Sequence, residues 1–313
     1  MKYLLKSSPE TVHWGFYDRK LKPVLRVKNG DILEVYTVET ETLESKDPQA
    51  IIPFEVNEIF EKVKERGPGP HILTGPVYID DATPGDTLEI SLLEIKPWVN
   101  YGFNLILPSG VLKEGYEEQI TNVIHFDRKG HMIKFSDLEI PFRPFFGELG
   151  VAPASGRISS LSVGTHGGNL DNKELLASSK VYLPVHVNGA LFSIGDGHAC
   201  QGDGEVDSTA LETCMWGIIQ LKIIKNFRIK WPMAETIKNF IIMASAPTLD
   251  EALEIVVANT VEFLMGKGFD KDEAYIFCSL GVDFRITQAV NDLKGVHAMV
   301  PKEIMKNRIR SLT

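Results

Sequence analysis

The sequence predicts a mainly β protein: a β-sandwich-like core with additional β elements, an α+β C-terminal part and a helical segment near residues 248–281. Three observations predict it. Short apolar runs broken by Gly, Pro and Asp fill residues 1–150. Sustained helical periodicity is confined to the region after about residue 245. No regular strand–helix alternation points to a doubly wound sheet. The chain reads as one unit over residues 1–313, with a possible subdivision into a β-rich half (1–150) and a site-bearing half with the C-terminal helices (151–313).

Taken in order, Pro23-Val24-Leu25-Arg26-Val27 meets Asn29-Gly30-Asp31, then Ile32-Leu33-Glu34-Val35-Tyr36. Asn-Gly tolerates positive φ, so a hairpin is expected here. Glu55 to Arg66 carries a helical face (Val56, Ile59, Phe60, Val63) and is stopped by Gly67-Pro68-Gly69-Pro70. Pro76-Val77-Tyr78-Ile79, Pro84-Gly85-Asp86 and Thr87-Leu88-Glu89-Ile90-Ser91-Leu92 echo the first unit. The shared Gly-Asp-x-Leu-Glu-(Val/Ile) suggests a duplicated element, or the recurrence that any hairpin-rich chain shows. Leu88, Ile90 and Leu92 alternate with Glu89 and Ser91, as in a half-buried strand. Val123-Ile124-His125-Phe126 is a further short strand, and Gly147, Gly150, Pro153 and Gly156 mark a loop-dense passage. Thr248-Leu249-Asp250-Glu251 is a capping box. Leu249, Ala252, Leu253, Val256, Val257, Thr260, Val261 and Leu264 follow at helical spacing up to Gly266. Asp270 with Glu273 starts a second helix running to about Leu280.

Charge narrows the function classes. The 313 residues carry 33 basic and 42 acidic side chains, a net charge of −9, with no basic run. Nucleic-acid binding is not expected, because neutralising phosphates needs clustered Lys and Arg. No stretch approaches the roughly 18 apolar residues of a membrane span. Met1-Lys2-Tyr3-Leu4-Leu5-Lys6 has charge but no apolar core of signal-peptide length. Cys200, Cys214 and Cys278 are too scattered for a disulfide framework, so a reducing, cytoplasmic setting is expected.

One window, Gly164 to Glu212, concentrates chemistry. Its centre reads Gly195-Asp196-Gly197-His198-Ala199-Cys200-Gln201-Gly202-Asp203-Gly204-Glu205. Its glycines allow unusual backbone angles or close ligand approach. Asp196 and His198 are two apart, so on a strand they project to one side. A Gly-rich turn can fold Glu205 back toward them. Oxygen and imidazole donors on a rigid turn suit a divalent ion such as zinc. The same acids beside a Gly-rich turn would also serve calcium. The plainer reading is that Asp-Gly and Gly-Asp are ordinary turn residues, with a structural His nearby. No HExxH motif, nucleophile elbow or phosphate loop is present. Upstream, Gly167-Gly168-Asn169-Leu170-Asp171 offers an amide and a carboxylate. Read alone, Asp171 is a turn residue or the cap of a short helix over Asn172-Lys173-Glu174-Leu175-Leu176. His13-Trp14-Gly15 pairs a titratable ring with an aromatic wall.

Several stretches together resemble the acetamidase/formamidase family. They are His13-Trp14-Gly15, Thr74-Gly75-Pro76-Val77, Pro84-Gly85-Asp86-Thr87-Leu88 and Gly167-Gly168-Asn169-Leu170-Asp171. Leu183-Pro184-Val185, the block from Gly189 to Val206, Ala274-Tyr275 and Asp283-Phe284-Arg285-Ile286-Thr287 follow in the same order. The resemblance implies hydrolysis of a short-chain amide, of formamide or acetamide type, to carboxylate and ammonia. It implies a divalent metal and a homo-oligomer, dimer or higher. It places Asp171, Asp196, His198 and Glu205 at the metal, with Glu205 and His198 catalytic, and His13, Asn169 and Gly195 at the substrate. Trp98-Val99-Asn100-Tyr101-Gly102-Phe103-Asn104 departs from the Trp- and Gly-rich family pattern, which leaves the choice of amide open.

The implied chemistry is metal-assisted amide hydrolysis. Glu205 would take a proton from water and return one to the leaving nitrogen. Two alternatives stand beside it. Cys200 could be a thiolate nucleophile activated by His198, although the family is expected to carry a small residue there. The chain could also be a metal-stabilised β-sandwich that binds a small molecule without chemistry, since fold alone does not imply catalysis.

Overall fold

Two sheets face each other across a shared apolar core. The structure is a computed structural model, and it describes residues 1–39, 49–306 and 308. The larger sheet has nine strands. In spatial order they are Lys2–Leu5, Ile32–Tyr36, Met215–Ile224, Thr87–Pro97, Lys180–Pro184, Met233–Glu235, Asn239–Ala246, Lys294–Pro301 and Asp283–Gln288. Only the first pair is parallel. The second sheet runs Val163–Gly164, Gly167–Asn169, Phe145–Gly150, Phe192–His198, Ile72–Ile79 and Val12–Trp14, with Leu25–Val27 parallel to Ile72–Ile79. Both sheets take strands from either side of residue 150.

Between the sheets, Leu33, Val35, Leu88, Ile90, Ile219 and Leu221 meet Val77, Phe146, Leu149, Phe192 and Ile194. The alternation read in residues 88–92 points part of this strand inward, but Glu89 and Ser91 are buried too. Their face of the sheet is covered by further structure, and Lys180 pairs with Glu89 at 3.3 Å. Helices cover the outer face at the other end. Along Asn239–Ala246, Ile241 and Met243 face the sandwich core while Phe240, Ile242 and Ala244 face the helices. Residues two apart share a face, so this strand reads as a continuous apolar run.

The helices follow their capping signals. Helix α1 spans Phe54–Lys62, ending four residues before the expected Arg66, and buries Val56 and Ile59. Helix α2 spans Leu249–Met265 with both arms of the Thr248–Glu251 capping box formed, and its Ala252, Val256, Thr260 and Leu264 are buried. Helix α3 spans Lys271–Gly281, capped by the Asp270 carboxylate accepting from Glu273 N at 2.7 Å. Among the described residues, no helix is long and apolar enough to cross a membrane.

Three local expectations need correction. Gly147 and Gly150 lie in the buried strand Phe145–Gly150 rather than in a loop-dense passage. Residues 172–176 form turns rather than a short helix. Asn172 Oδ1 accepts from Glu174 N at 3.1 Å, an Asx turn that competes with helix formation. The Asn29-Gly30 turn does not close a hairpin either. Leu25–Val27 lies in the smaller sheet and Ile32–Tyr36 in the larger, so the turn carries the chain across the sandwich. The second echo does the same between Ile72–Ile79 and Thr87–Pro97.

The echoed Gly-Asp therefore has one structural job at both places. Gly30 (φ +86°) and Gly85 (φ +92°) take left-handed angles. Asp31 accepts from Lys28 N and Asp86 from Thr83 N, both at 2.8 Å, so each carboxylate tightens the crossing turn. Asp86→Ala is expected to cost about 1–3 kcal/mol in urea unfolding, because it removes a charged acceptor from a backbone N–H. The 2.6 Å contact to Lys225, a half-exposed side chain, adds little to that figure. A change within the roughly 0.5 kcal/mol of an ordinary surface substitution would contradict this role.

Candidate functional site

Strand Phe192–His198 runs between Phe145–Gly150 and Ile72–Ile79, with Gly195 opposite both Glu148 and Leu73. It carries Asp196 and His198 into the interior. His198 Nε2 lies 3.1 Å from Asp196 Oδ2 and 3.1 Å from Glu212 Oε2. Glu212 is held there by a reciprocal backbone pair, its N to Phe103 O at 2.8 Å and Phe103 N to its O at 2.9 Å. Donor atoms of Asp196, His198 and Glu212 lie within 4.8 Å of one another. So do those of Asp171, His198 and Glu205. All five side chains are buried.

The His198 ring is oriented from behind. Gln201 Nε2 donates to Asp171 O at 2.8 Å, which turns the amide oxygen toward His198. That oxygen lies 2.9 Å from His198 Nδ1, so Nδ1 carries the proton and Nε2 is left to face the carboxylates. Neither of the two Nε2 contacts has hydrogen-bond geometry, and Nε2, Asp171 Oδ1 and Glu212 Oε2 are all buried without a hydrogen-bond partner. An imidazole fixed through one nitrogen, with the other converging on carboxylate oxygens, is the arrangement that metal-binding histidines use. The donor set fits a divalent cation.

Backbone geometry supports the same centre. Asp171 (φ +42°), Asp196 (φ +54°) and Glu205 (φ +47°) all sit in the left-handed region. For residues other than glycine that conformation costs of order 1–3 kcal/mol each, and it persists only where surrounding structure enforces it. Here Gly204 enforces part of it. Its N–H donates to Thr287 O at 3.2 Å and its carbonyl accepts from Ala289 N at 2.9 Å, tying the Glu205 turn to strand Asp283–Gln288. Gly147 supplies the space. A Cβ there would lie 2.4 Å from Asp196 Oδ2 and 2.8 Å from Asp171 Oδ1.

Electrostatics follow from burial. Desolvation, then the neighbouring acids, push Asp171 and Glu205 well above the usual carboxylate range. Desolvation also raises Glu212, against the pull of His198. Burial opposes charge on His198 as well, but Glu212 and Asp196 outweigh it and raise its pKa. Asp196 is instead held low: the two imidazoles, His198 and His71, overcome its burial. Protonation is thus favoured where these oxygens and the imidazole converge. A second layer adjoins this one. Tyr17 Oη donates to Glu148 Oε2 at 2.6 Å, and His71 Nδ1 lies 3.1 Å from Glu148 Oε1. Burial raises Glu148 to about 7. His71 is pushed to about 10, where Asp196 and Glu148 outweigh the burial that would lower it.

Asp171, Asp196, His198 and Glu205, picked out in the sequence, are therefore brought together. His13, Asn169 and Gly195 sit outside both donor groups. His13 Nε2 is 2.8 Å from Ser193 Oγ, and burial lowers its pKa to about 4. Asn169 is paired with Glu148 across the sheet, its Oδ1 without a hydrogen-bond partner. Gly195 packs against the backbone of Ile72. Glu212, Glu148, His71 and Tyr17 were not singled out by sequence reasoning. One signal was present: Glu148 is the charged residue within the fully buried run Phe145-Phe146-Gly147-Glu148-Leu149-Gly150. Cys200 is half-buried, and desolvation pushes its thiol up to about 11, which leaves little thiolate at neutral pH.

Fold and cluster define a class: two-sheet β-sandwich proteins with a buried carboxylate–imidazole centre built on Gly-rich strands. The comparisons with known proteins narrow it. The family model described as "Acetamidase/Formamidase family" matches residues 10–162 and 156–307. The chain belongs to the acetamidase/formamidase family. A crystal structure of a predicted acetamidase/formamidase from the thermophile Thermoanaerobacter tengcongensis is similar at 28% identity and a TM-score of 0.87, over 99% of each chain. An acetamidase of Bacillus halodurans is similar at 29% identity and a TM-score of 0.85, over 98% of this chain and 99% of that one. A Schizosaccharomyces pombe protein, provisionally named a formamidase, is 29% identical over 214 residues. That match spans 50% of this chain and 52% of the relative, so it covers about half the relative's length.

Gly147→Ala tests the cradle. The added methyl is expected to weaken divalent-cation binding by roughly 10–100-fold, the usual cost of disturbing the surroundings of a metal site. Competition against a chromophoric chelator measures it. Unchanged affinity in a folded variant would show that the carboxylates beside Gly147 do not hold the ion.

Proposed function

We propose that this protein hydrolyses the C–N bond of short-chain amides, of formamide or acetamide type, to carboxylate and ammonium, with a divalent ion, zinc, at His198. The observation that carries the reading is His198 Nε2, which has no hydrogen bond, lies 3.1 Å from Asp196 and Glu212 oxygens and is fixed from behind by Gln201. Asp196, His198 and Glu212 are assigned as the ligand set, with Asp171 alongside. When bound there, a divalent ion supplies Lewis acidity, polarising a carbonyl oxygen and lowering the pKa of water. Calcium is the alternative ion, favoured by the excess of oxygen donors.

The chain's own residues handle the protons. Among the described residues, Glu205 is the acid of this cluster that also lines an open cleft. Its carboxylate takes a proton from a water that forms the new C–O bond. It then returns a proton to the amide nitrogen as the C–N bond breaks, so that ammonia leaves rather than amide ion. Its burial favours the protonated form, the one that returns a proton to the leaving nitrogen. Gln201 keeps His198 in one tautomer throughout. Glu148, Tyr17 and His71 anchor the neighbouring strand and set the charge around Asp196. The reading includes a homo-oligomer, with the exposed Tyr275, Ile276 and Leu280 of α3 as a candidate contact face. It also includes a reducing, cytoplasmic setting, consistent with three unpaired cysteines.

Ammonia release from formamide and acetamide tests the reaction. Wild type is expected to turn over and to lose activity on chelation, regaining it with added zinc. Glu205→Gln is expected to lower kcat by roughly 10²–10⁴-fold, the usual contribution of a positioned acid–base group, while metal analysis still finds the ion. Full activity in a metal-free preparation would overturn the mechanism. So would Glu205→Gln at wild-type rate.

A further inference from the structure

The cleft beside Glu205 is larger and more apolar than formamide or acetamide requires. Its volume is about 390 Å³, within the roughly 300–1,000 Å³ of pockets that hold drug-sized molecules. Ile124, Ile133, Phe135, Ile140, Val206 and Leu211 form the apolar wall. The strand Ile120–His125 and the ribbon of Met132–Phe135 with Leu138–Pro141 present the first four. Ile133 and Leu211 are themselves packed into a small apolar cluster with Phe126 and Ala199, so this side of the cleft is preformed.

The acids that reach this cleft are already engaged, Glu205 apart. Asp207 Oδ2 accepts from Asn104 Nδ2 at 3.1 Å, and Asp203 pairs with Lys173 at 3.1 Å. Asp203 is thereby charge-paired, while Asp207 keeps its charge and is held toward Asn104. At the inner end, Gln201 and Glu205 belong both to the cleft lining and to the carboxylate–imidazole cluster. An amide whose carbonyl reaches the cluster would have its acyl chain lie along the apolar wall.

We propose that the preferred substrates are primary amides with an apolar acyl group larger than acetyl, a longer aliphatic chain or a phenyl ring, held in this cleft. The proposal rests on the amidase reading above and moves its preferred substrates from formamide and acetamide to amides with a larger acyl group. A methylene moved from water onto such a wall improves binding by roughly fourfold. Across formamide, acetamide, butyramide, hexanamide and benzamide, kcat/KM of the metal-replete enzyme is expected to rise by at least tenfold from acetamide to hexanamide. Calorimetric binding of the product carboxylates acetate, butyrate, hexanoate and benzoate gives a second readout that needs no turnover, and affinity is expected to rise in the same order. Ile140→Trp, which narrows the cleft, is expected to cut the hexanamide-to-acetamide ratio at least tenfold.

Robust turnover with kcat/KM falling from acetamide onward overturns this proposal and leaves the amidase reading standing. Absence of ammonia from every amide, with hexanoate still binding more tightly than acetate, overturns the amidase reading and supports the cleft as an apolar binding site. Absence of any chain-length dependence in binding overturns the cleft assignment.

Discussion

Buried negative charge is the constraint on which this structure depends. Asp171, Asp196, Glu205, Glu212 and Glu148 are packed into a β-sandwich with His198 and His71 as the adjoining imidazoles. Carboxylates removed from water must be protonated, paired or neutralised by a cation, because an isolated buried charge is far too costly. The polar contacts of the described residues satisfy only part of this set: Asp171 Oδ1, Glu148 Oε1 and Glu212 Oε2 have no hydrogen-bond partner. The proposed divalent ion at His198 would resolve the imbalance in one step. Without it, burial and the neighbouring acids favour the protonated forms of Asp171, Glu205 and His198.

Much of the surrounding architecture serves to hold that charge still. Gly147 lets a strand backbone pass where a methyl group would collide with two acids. Three acids stand on left-handed backbone, which stores strain at the centre and needs stiff support. Support comes from distant parts of the chain. The C-terminal strand Asp283–Gln288 pins Gly204, and the helices α2 and α3 cover the sheet to which that strand belongs. The C-terminal α+β part is therefore coupled to the centre through backbone hydrogen bonds. The crossing turns at Asp31 and Asp86 link the two sheets elsewhere in the chain.

What was legible in the sequence is what short range encodes. A capping box located α2 and the Asp270 N-cap located α3, and the two-residue spacing of Asp196 and His198 pointed both to one side of any strand they shared. The Gly-rich window marked the centre because its backbone angles are unusual. What escaped depends on partners far away in the chain. Glu212 bridges directly to both His198 and Phe103, and Glu148 reaches the site through register with Gly195. No local pattern specifies either pairing. The Asn29-Gly30 turn failed as a hairpin signal for the same reason: turn chemistry sets the bend, not which sheet receives the next strand. The Asp171 cap failed because Asn172 satisfies the neighbouring N–H itself, and the family resemblance rather than the spacing gave Asp171 its place at the centre.

Protons and the proposed divalent cation would compete for His198 and its acids. Calorimetric titration of zinc into chelator-stripped protein, repeated in buffers of different ionisation enthalpy, measures this competition directly. The account predicts saturable binding accompanied by proton release, since ligands must be deprotonated to bind, with both lost in His198→Ala. Absence of binding, or binding without proton release and unchanged in His198→Ala, would contradict it.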